Sequence, residues 1–463
     1  MLDAVVVGSG PNGLAAALTL ARAGRAVRVL EAAAEPGGGA RSVPGPVPGT
    51  IVDHCGSVVA LGAAGPFLPT VPDVELAHAP VAAAHALEPG ASVFVHHDLE
   101  TTLAGLGDDA DRYRRSVGAL AEHWDVVGPL VLGPIVRIPP SPFASAWFGR
   151  HLAVPASTVI GRSGRRLGAL LAGTAAHTGL PLDTGLSAGV AYALLAAAHV
   201  VGFPFVAGGA GRLVDAMVRE LESLGGSVEC GRTIRTSHDV PDSTVTLLDT
   251  SPGAAASITG ATGAVGRALR GVRHGPGVFK LDLVLDGPVP WADPALAHAG
   301  TVHVGGSAED VGASLRTVAS GRTAEAPFVL VTQPSVADPT RAADGQQVLW
   351  AYCHVPNGSR VDMTSSIMAR LEHFAPGLSD RVIGLSTTDP ARFEADNPSL
   401  VGGDIANGAA TFGQMLARPR FSATPWRIGD GWYLCSAATP PGPGVHGMCG
   451  VHAANAALRH ELA

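Results

Sequence analysis

Gly8, Gly10 and Gly13 stand in the run Gly8-Ser9-Gly10-Pro11-Asn12-Gly13, the spacing G-x-G-x-x-G. The chemistry open to such a run is the cradling of a pyrophosphate. The first glycine permits a tight turn, the second lets backbone approach the phosphates, and the third lets a helix pack on the preceding strand. Pro11 and Asn12 then fill the first turn of that helix, whose N-terminus supplies N–H groups and the positive end of its dipole. Glu31, 18 residues beyond Gly13, is the acid that this kind of unit sets against a ribose diol. A 2'-phosphate would be repelled there, so FAD or NAD is favoured over NADP.

A second loop, Pro36-Gly37-Gly38-Gly39-Ala40-Arg41-Ser42, follows the acid and ends in an arginine able to grip a phosphate or a carbonyl. An NAD unit has no use for it, which points to FAD. Near the other end, Gly442-Pro443-Gly444-Val445-His446-Gly447-Met448 imitates the first glycine run, with no further strand and acid after it. It reads instead as the start of a helix whose positive end faces something polar, and the N1–C2=O edge of a flavin suits that place. Hydride transfer to a flavin needs a substrate C–H held by shape, sometimes with a base for an accompanying proton. His446 and His354 are the base candidates, each set against the plainer role of a packed histidine. Tyr352 and Trp350 alternate along the strand of His354 and read as an aromatic wall or as core.

With both glycine loops in place, the sequence resembles the flavoprotein superfamily of amine oxidases, phytoene desaturases and protoporphyrinogen oxidase. In that superfamily the second-strand acid precedes a Gly-Gly-x-x-Arg-Ser/Thr loop, here Gly37, Gly38, Arg41 and Ser42 with Gly39 and Ala40 between, and Gly38, Gly39, Arg41 and Ser42 are the cofactor-binding residues it implies. Asp53-His54-Cys55-Gly56-Ser57 resembles its segment near the flavin. Cys230-Gly231-Arg232-Thr233-Ile234 resembles the strand whose backbone meets adenine, and Val445, His446, Gly447 and Met448 the loop and helix against the isoalloxazine. Ser436-Ala437 stands where many relatives have Gly-Asp. The phrases Trp350-Ala351-Tyr352-Cys353-His354-Val355-Pro356-Asn357-Gly358 and Gly402-Gly403-Asp404 resemble a bacterial phytoene-desaturase-like subgroup. The resemblance implies an FAD-dependent oxidoreductase that removes hydride from a C–H bond of an apolar small or medium substrate. Relatives of this fold also isomerise double bonds without net redox, and others, resembling GDP-dissociation inhibitors, bind without catalysis. His54 and Cys55 offer a covalent flavin link, against the plainer role of packing.

The elements that must position these residues follow from periodicity. Residues 4–7 suit a buried parallel strand, 14–23 a helix stopped by Gly24, and 26–30 a second strand. Residues 212–224, 227–230 and 245–248 repeat the rhythm, and 432–436 with a terminal helix return to it. The expected fold is α/β, a Rossmann-type FAD-binding domain built from residues 1–75, 205–260 and 426–463. Residues 76–204 and 261–425 would form an inserted α+β substrate domain, whose strand-like runs 278–285, 328–332 and 348–354 suggest a mixed or antiparallel sheet.

Composition bounds the rest. Of 463 residues 60 are glycine, and 39 acidic against 31 basic residues give a net charge of −8, which excludes a broad phosphate-binding surface and hence a nucleic-acid partner. Five cysteines without a C-x-x-C pair fit a reducing cytoplasm, and the first apolar run lacks the basic start of an export signal. His96-His97 beside Asp98 has no metal-ligand spacing, and no metal is expected. Residues 184–211 carry no charge, but alanines, Tyr192, His199 and the closing glycines favour a buried helix lining an apolar pocket over a membrane span. Peripheral contact with a bilayer stays compatible with this. With one nucleotide unit, oxygen or a quinone-like molecule is the expected electron acceptor.

Overall fold

A computed structural model describes residues 2–134, 149 and 153–463. The β-branched run at the N-terminus forms the strand Leu2–Val7, at the centre of a sheet of six. It pairs in parallel with Val27–Leu30 on one side and Ser243–Leu248 on the other. Ser227–Glu229 and Trp432–Leu434 extend these two sides in parallel, and Arg427–Gly429 closes one edge antiparallel. Alternation along the first strand divides the core. Ala4 and Val6 face the helices Pro11–Arg22, Ala210–Ser223 and Met448–His460, while Val5 and Val7 face Pro252–Thr259. A strand buried on both faces must be apolar throughout, which is why its pattern is continuous.

The terminal helix lies so close to the first that a Cβ built on Gly450 would stand 1.8 Å from the carbonyl oxygen of Asn12. Only a glycine tolerates that approach. Gly450→Ala is expected to lower the unfolding free energy by about 1–3 kcal/mol and to move the helix turn that carries Asn12. Urea melts check the first effect, and FAD affinity, on the function proposed below, checks the second.

A second sheet of seven strands has the order Val382–Thr388, Gly277–Leu285, Gln347–Val355, Val329–Thr332, Ala299–Val304, Val81–Glu88, Ala91–Val95. The three runs read from the sequence lie side by side at its centre. The sheet is mixed rather than wholly antiparallel, because Ala299–Val304 runs parallel to Val81–Glu88. That strand and its hairpin partner Ala91–Val95 are not among the runs read from the sequence, since Ala82, Ala83, Ala84 and Ala86 lack the β-branched side chains that signal a strand. One face of the sheet carries Leu330, Trp350 and Tyr352 towards the helices Arg165–Ala175 and Ser187–Val201, and the other carries Leu281, Leu283 and Ala351 towards Thr364–Phe374.

The uncharged segment becomes the 15-residue helix Ser187–Val201, ended by Gly202 at φ 74°. No helix among the described residues is long and apolar enough to cross a membrane. Arg112, Arg114 and Arg115 are exposed, as a solvated helix face would be, and Arg114 pairs with Glu100.

Candidate functional site

A single cavity of about 820 Å³ runs from the first glycine loop to the floor of the second sheet. At its nucleotide end Gly8, Gly10, Pro11, Asn12 and Glu31 meet Gly38, Gly39 and Arg41. The two glycine loops touch. The Gly37 amide donates to the Ser9 carbonyl at 3.0 Å, and a Cβ on Gly38 would lie 3.1 Å from the Cα of Gly10. A Cβ on Gly13 would lie 2.1 Å from the Gly8 carbonyl oxygen, so the turn closes only without side chains. Glu31 takes hydrogen bonds from the amide and hydroxyl of Ser9 and from the Ala33 amide. Arg232 and Ile234 line the same end, on a chain tied to the acid by a bond from the Arg232 amide to the Glu31 carbonyl. Arg41 donates to the carbonyls of Gly38 and Asp396, joining opposite walls.

Several residues named from the sequence lie behind this lining. Gly13, Gly447 and Met448 pack the helix starts and are not in the wall. Ser42 donates to Asp53 and accepts from the Gly211 amide, a bracket under the second loop. Val445 and His446 do line the cavity. His446 is nevertheless poorly placed as a base: Nδ1 accepts from the Met448 amide at 3.0 Å, and burial holds its pKa near 4, the carbonyls of Gly442 and Pro443 opposing that shift through its remaining N–H. His354 lies outside the lining, its Nε2 at 3.0 Å from the Ala176 carbonyl, also with a pKa near 4 through burial. Both geometries favour the packed-histidine role, because in each ring a nitrogen holds backbone, Nδ1 in His446 and Nε2 in His354. Tyr352 and Trp350 stand in the wall with rings 5.2 Å apart, and burial raises the Tyr352 pKa, so its phenol stays protonated. Cys55 lines the cavity with a thiol pushed up to about 11 by burial, and His54 packs on Phe393.

Asp249 is a wall residue that sequence reasoning passed over as the end of a strand. Its Oδ2 accepts from the Gly13 amide at 2.9 Å, and Cβ atoms on Gly8, Gly10 or Gly13 would all meet it. Burial pushes its pKa up to about 7, against the Gly13 amide, which favours the charged form. A raised folded-state pKa gives stability that is complete below the unfolded value of 3.8 and is lost as pH rises through about 7. Asp249→Asn keeps an acceptor for Gly13 but cannot ionise. It is expected to be more stable than the parent by about 2 kcal/mol at alkaline pH, allowing for partial exposure, with the gain vanishing in acid. Thermal melts across that range check the slope.

Two further cations fix the walls. Lys280, the only lysine in the chain, is buried and donates to the carbonyls of Asp53 and His54 and to Asp282 at 2.9 Å. Arg418 bonds the carbonyls of Ala406, Gly408 and Ala437, clamping one side of the cavity to the C-terminal loop. The sole lysine was a signal available in the composition, whereas Arg418 was not distinguishable from a surface arginine.

Residues 6–67 match the family described as NAD(P)-binding Rossmann-like domain. Over nearly its whole length the chain is similar to an oxidoreductase from Methanosarcina mazei, at 15% identity, 97% and 98% coverage of the two chains and a TM-score of 0.66. It is similar to wild-type putrescine oxidase bound to putrescine, at 15% identity, 99% and 98% coverage and a TM-score of 0.62. The corresponding values for cyclohexylamine oxidase from Brevibacterium oxydans are 16%, 100% and 99%, and 0.60. What is shared at these identities is the fold, a Rossmann-type sheet joined to a second sheet.

Proposed function

We propose that the chain is an FAD-dependent oxidoreductase that removes hydride from a C–H bond of an apolar substrate, in the manner of the desaturases and dehydrogenases its C-terminal loop resembles. The observation that carries this reading is the continuity of the cavity, which joins a side-chain-free glycine cradle to an apolar chamber in one space. The cradle fits the cofactor on its own geometry, since a Cβ at Gly8, Gly10 or Gly13 would strike Asp249 or the Gly8 carbonyl and the turn that lays bare backbone along the cavity could not close. Gly10, Pro11 and Asn12 would hold the pyrophosphate on the helix N-terminus, Glu31 the ribose, Arg232 to Ile234 the adenine side, and Val445 with His446 the flavin edge.

Bound FAD supplies the hydride acceptor. The chain's own residues position and exclude. Leu194, Val190 and Phe203 keep the chamber dry, and Tyr352 and Trp350 wall it. His446 and Tyr352 are both neutral at physiological pH, so the proton inventory of the site is small and shape bears most of the catalysis. Oxygen or a quinone-like molecule completes the cycle as electron acceptor. Purified protein is expected to take up one FAD and show flavin visible absorbance; absence of uptake on reconstitution would overturn the reading.

A further inference from the structure

The chamber floor holds an arrangement that packing does not explain. Thr301 lies opposite Thr332, and Thr332 opposite Trp350, in the register of three neighbouring strands. Paired residues in a sheet point to one face with Cβ atoms about 5 Å apart, so the three form one row, and all three line the cavity. Thr301 Oγ1, Thr332 Oγ1 and Trp350 Nε1 are each buried without a hydrogen-bond partner. An unpaired buried polar atom costs about 1–3 kcal/mol, and three in a row at the bottom of a cavity call for a common partner. A threonine turns its hydroxyl from sheet to cavity by a single χ1 step.

The chemistry of that partner is constrained. An indole N–H only donates, so whatever meets Trp350 must accept. An ammonium group has no lone pair and cannot, and a pure hydrocarbon leaves all three atoms unsatisfied. Charge leads to the same answer. Among the described residues the charged side chains of the cavity are Glu31, Arg41, Arg232, Asp249 and Asp396, which lie around the cradle at strand ends, in loops or, for Asp396, at the end of the helix Pro390–Asp396, and none is on the chamber's sheet floor or on the helix Ser187–Val201. Asp282, next in the row beyond Trp350, is outside the lining; its Oδ2 is paired with Lys280, and its Oδ1 is buried without a partner.

We propose that the chamber takes an uncharged, largely apolar molecule bearing one oxygen that accepts hydrogen bonds, a hydroxyl or carbonyl, seated on Trp350, Thr332 and Thr301. This rests on reading the chamber as the substrate site, and it separates the chain from the putrescine and cyclohexylamine oxidases whose fold it shares, since an amine would find no counter-charge on that floor.

The test is calorimetric binding of four matched probes, cyclooctanone, cyclooctanol, cyclooctylamine and cyclooctane, to the protein with and without FAD. The ketone and alcohol are expected to bind about tenfold tighter than the amine and alkane. Trp350→Phe, which keeps a ring, and Thr332→Val, which keeps the shape, should each weaken ketone binding about tenfold and leave cyclooctane unchanged. An amine or alkane bound as tightly as the ketone, no binding by any probe, or a ketone preference retained in both variants would overturn the proposal. FAD uptake is read separately from the visible spectrum, so failure of the flavin reading is distinguishable from failure of the probe ranking.

Discussion

Arg341→Met is expected to lower the unfolding free energy by about 3–5 kcal/mol. Arg341 is fully buried between two carboxylates, with Nη1 at 3.1 Å from Asp53 and Nε at 2.9 Å from Asp338. Its third nitrogen, Nη2, donates to the Val206 carbonyl. Asp53 is further held by Ser42, Ser57 and the Ala210 amide, and Asp338 by the Gly208 amide. Each of those neighbours is fixed by the carboxylates, so removal of the cation leaves two buried charges that cannot escape by relaxation. The effect reaches the site, because Ser42 and Asp53 support the second glycine loop and FAD affinity should fall with stability. Arg341→Lys restores one charge but not the fork, and should recover part of the loss. Urea melts read both variants. A change below about 1 kcal/mol would mean that the cluster is screened as a surface pair is.

Acid should unfold the protein cooperatively well above the pH at which its carboxylates protonate. Burial lowers the pKa of His54, His85, His177, His354 and His446 from 6.5 to about 4, and holds that of His303 well below 6.5. A depressed folded-state pKa gives stability present above the unfolded value and lost as pH falls towards the folded one, so the window runs from 6.5 down to about 4. At about 3 kcal/mol for each histidine, three or four of them match the ~5–15 kcal/mol that holds a domain together. Unfolding therefore precedes full protonation. Asp249 and Asp282, both raised by burial, have the opposite sign and gain stability as pH falls, but two carboxyls stand against six imidazoles. Circular dichroism against pH is expected to show a transition between 6.5 and 4, and retention of native signal at pH 4 would contradict it.

The parallel sheet and the glycine cradle were legible because their sequence constraints are local. A turn that excludes every Cβ must be written in glycine, and a strand buried on both faces in Val, whatever the rest of the chain does. Glu31 was found by distance along the chain alone. Asp249, Lys280, Arg341 and Arg418 were not, because each acts on backbone hundreds of residues away or on a loop whose path no local pattern encodes. Arg341 meets Asp53 across 288 residues, and Lys280 reaches the Asp53 carbonyl across 227. Histidine roles stayed open between base and packing for a related reason. A sequence shows that His354 lies on a strand, but not that its Nε2 meets the Ala176 carbonyl. The row of Thr301, Thr332 and Trp350 belongs to three strands, and only the register places its members together.

The most direct test of the central claim is anaerobic mixing of FAD-loaded protein with apolar alcohols, followed by flavin absorbance and product mass. The account predicts bleaching of the flavin in step with a product two hydrogens lighter, and return of colour on admission of oxygen or a quinone. A product of unchanged mass formed without bleaching, or a protein that retains no FAD at all, would contradict it.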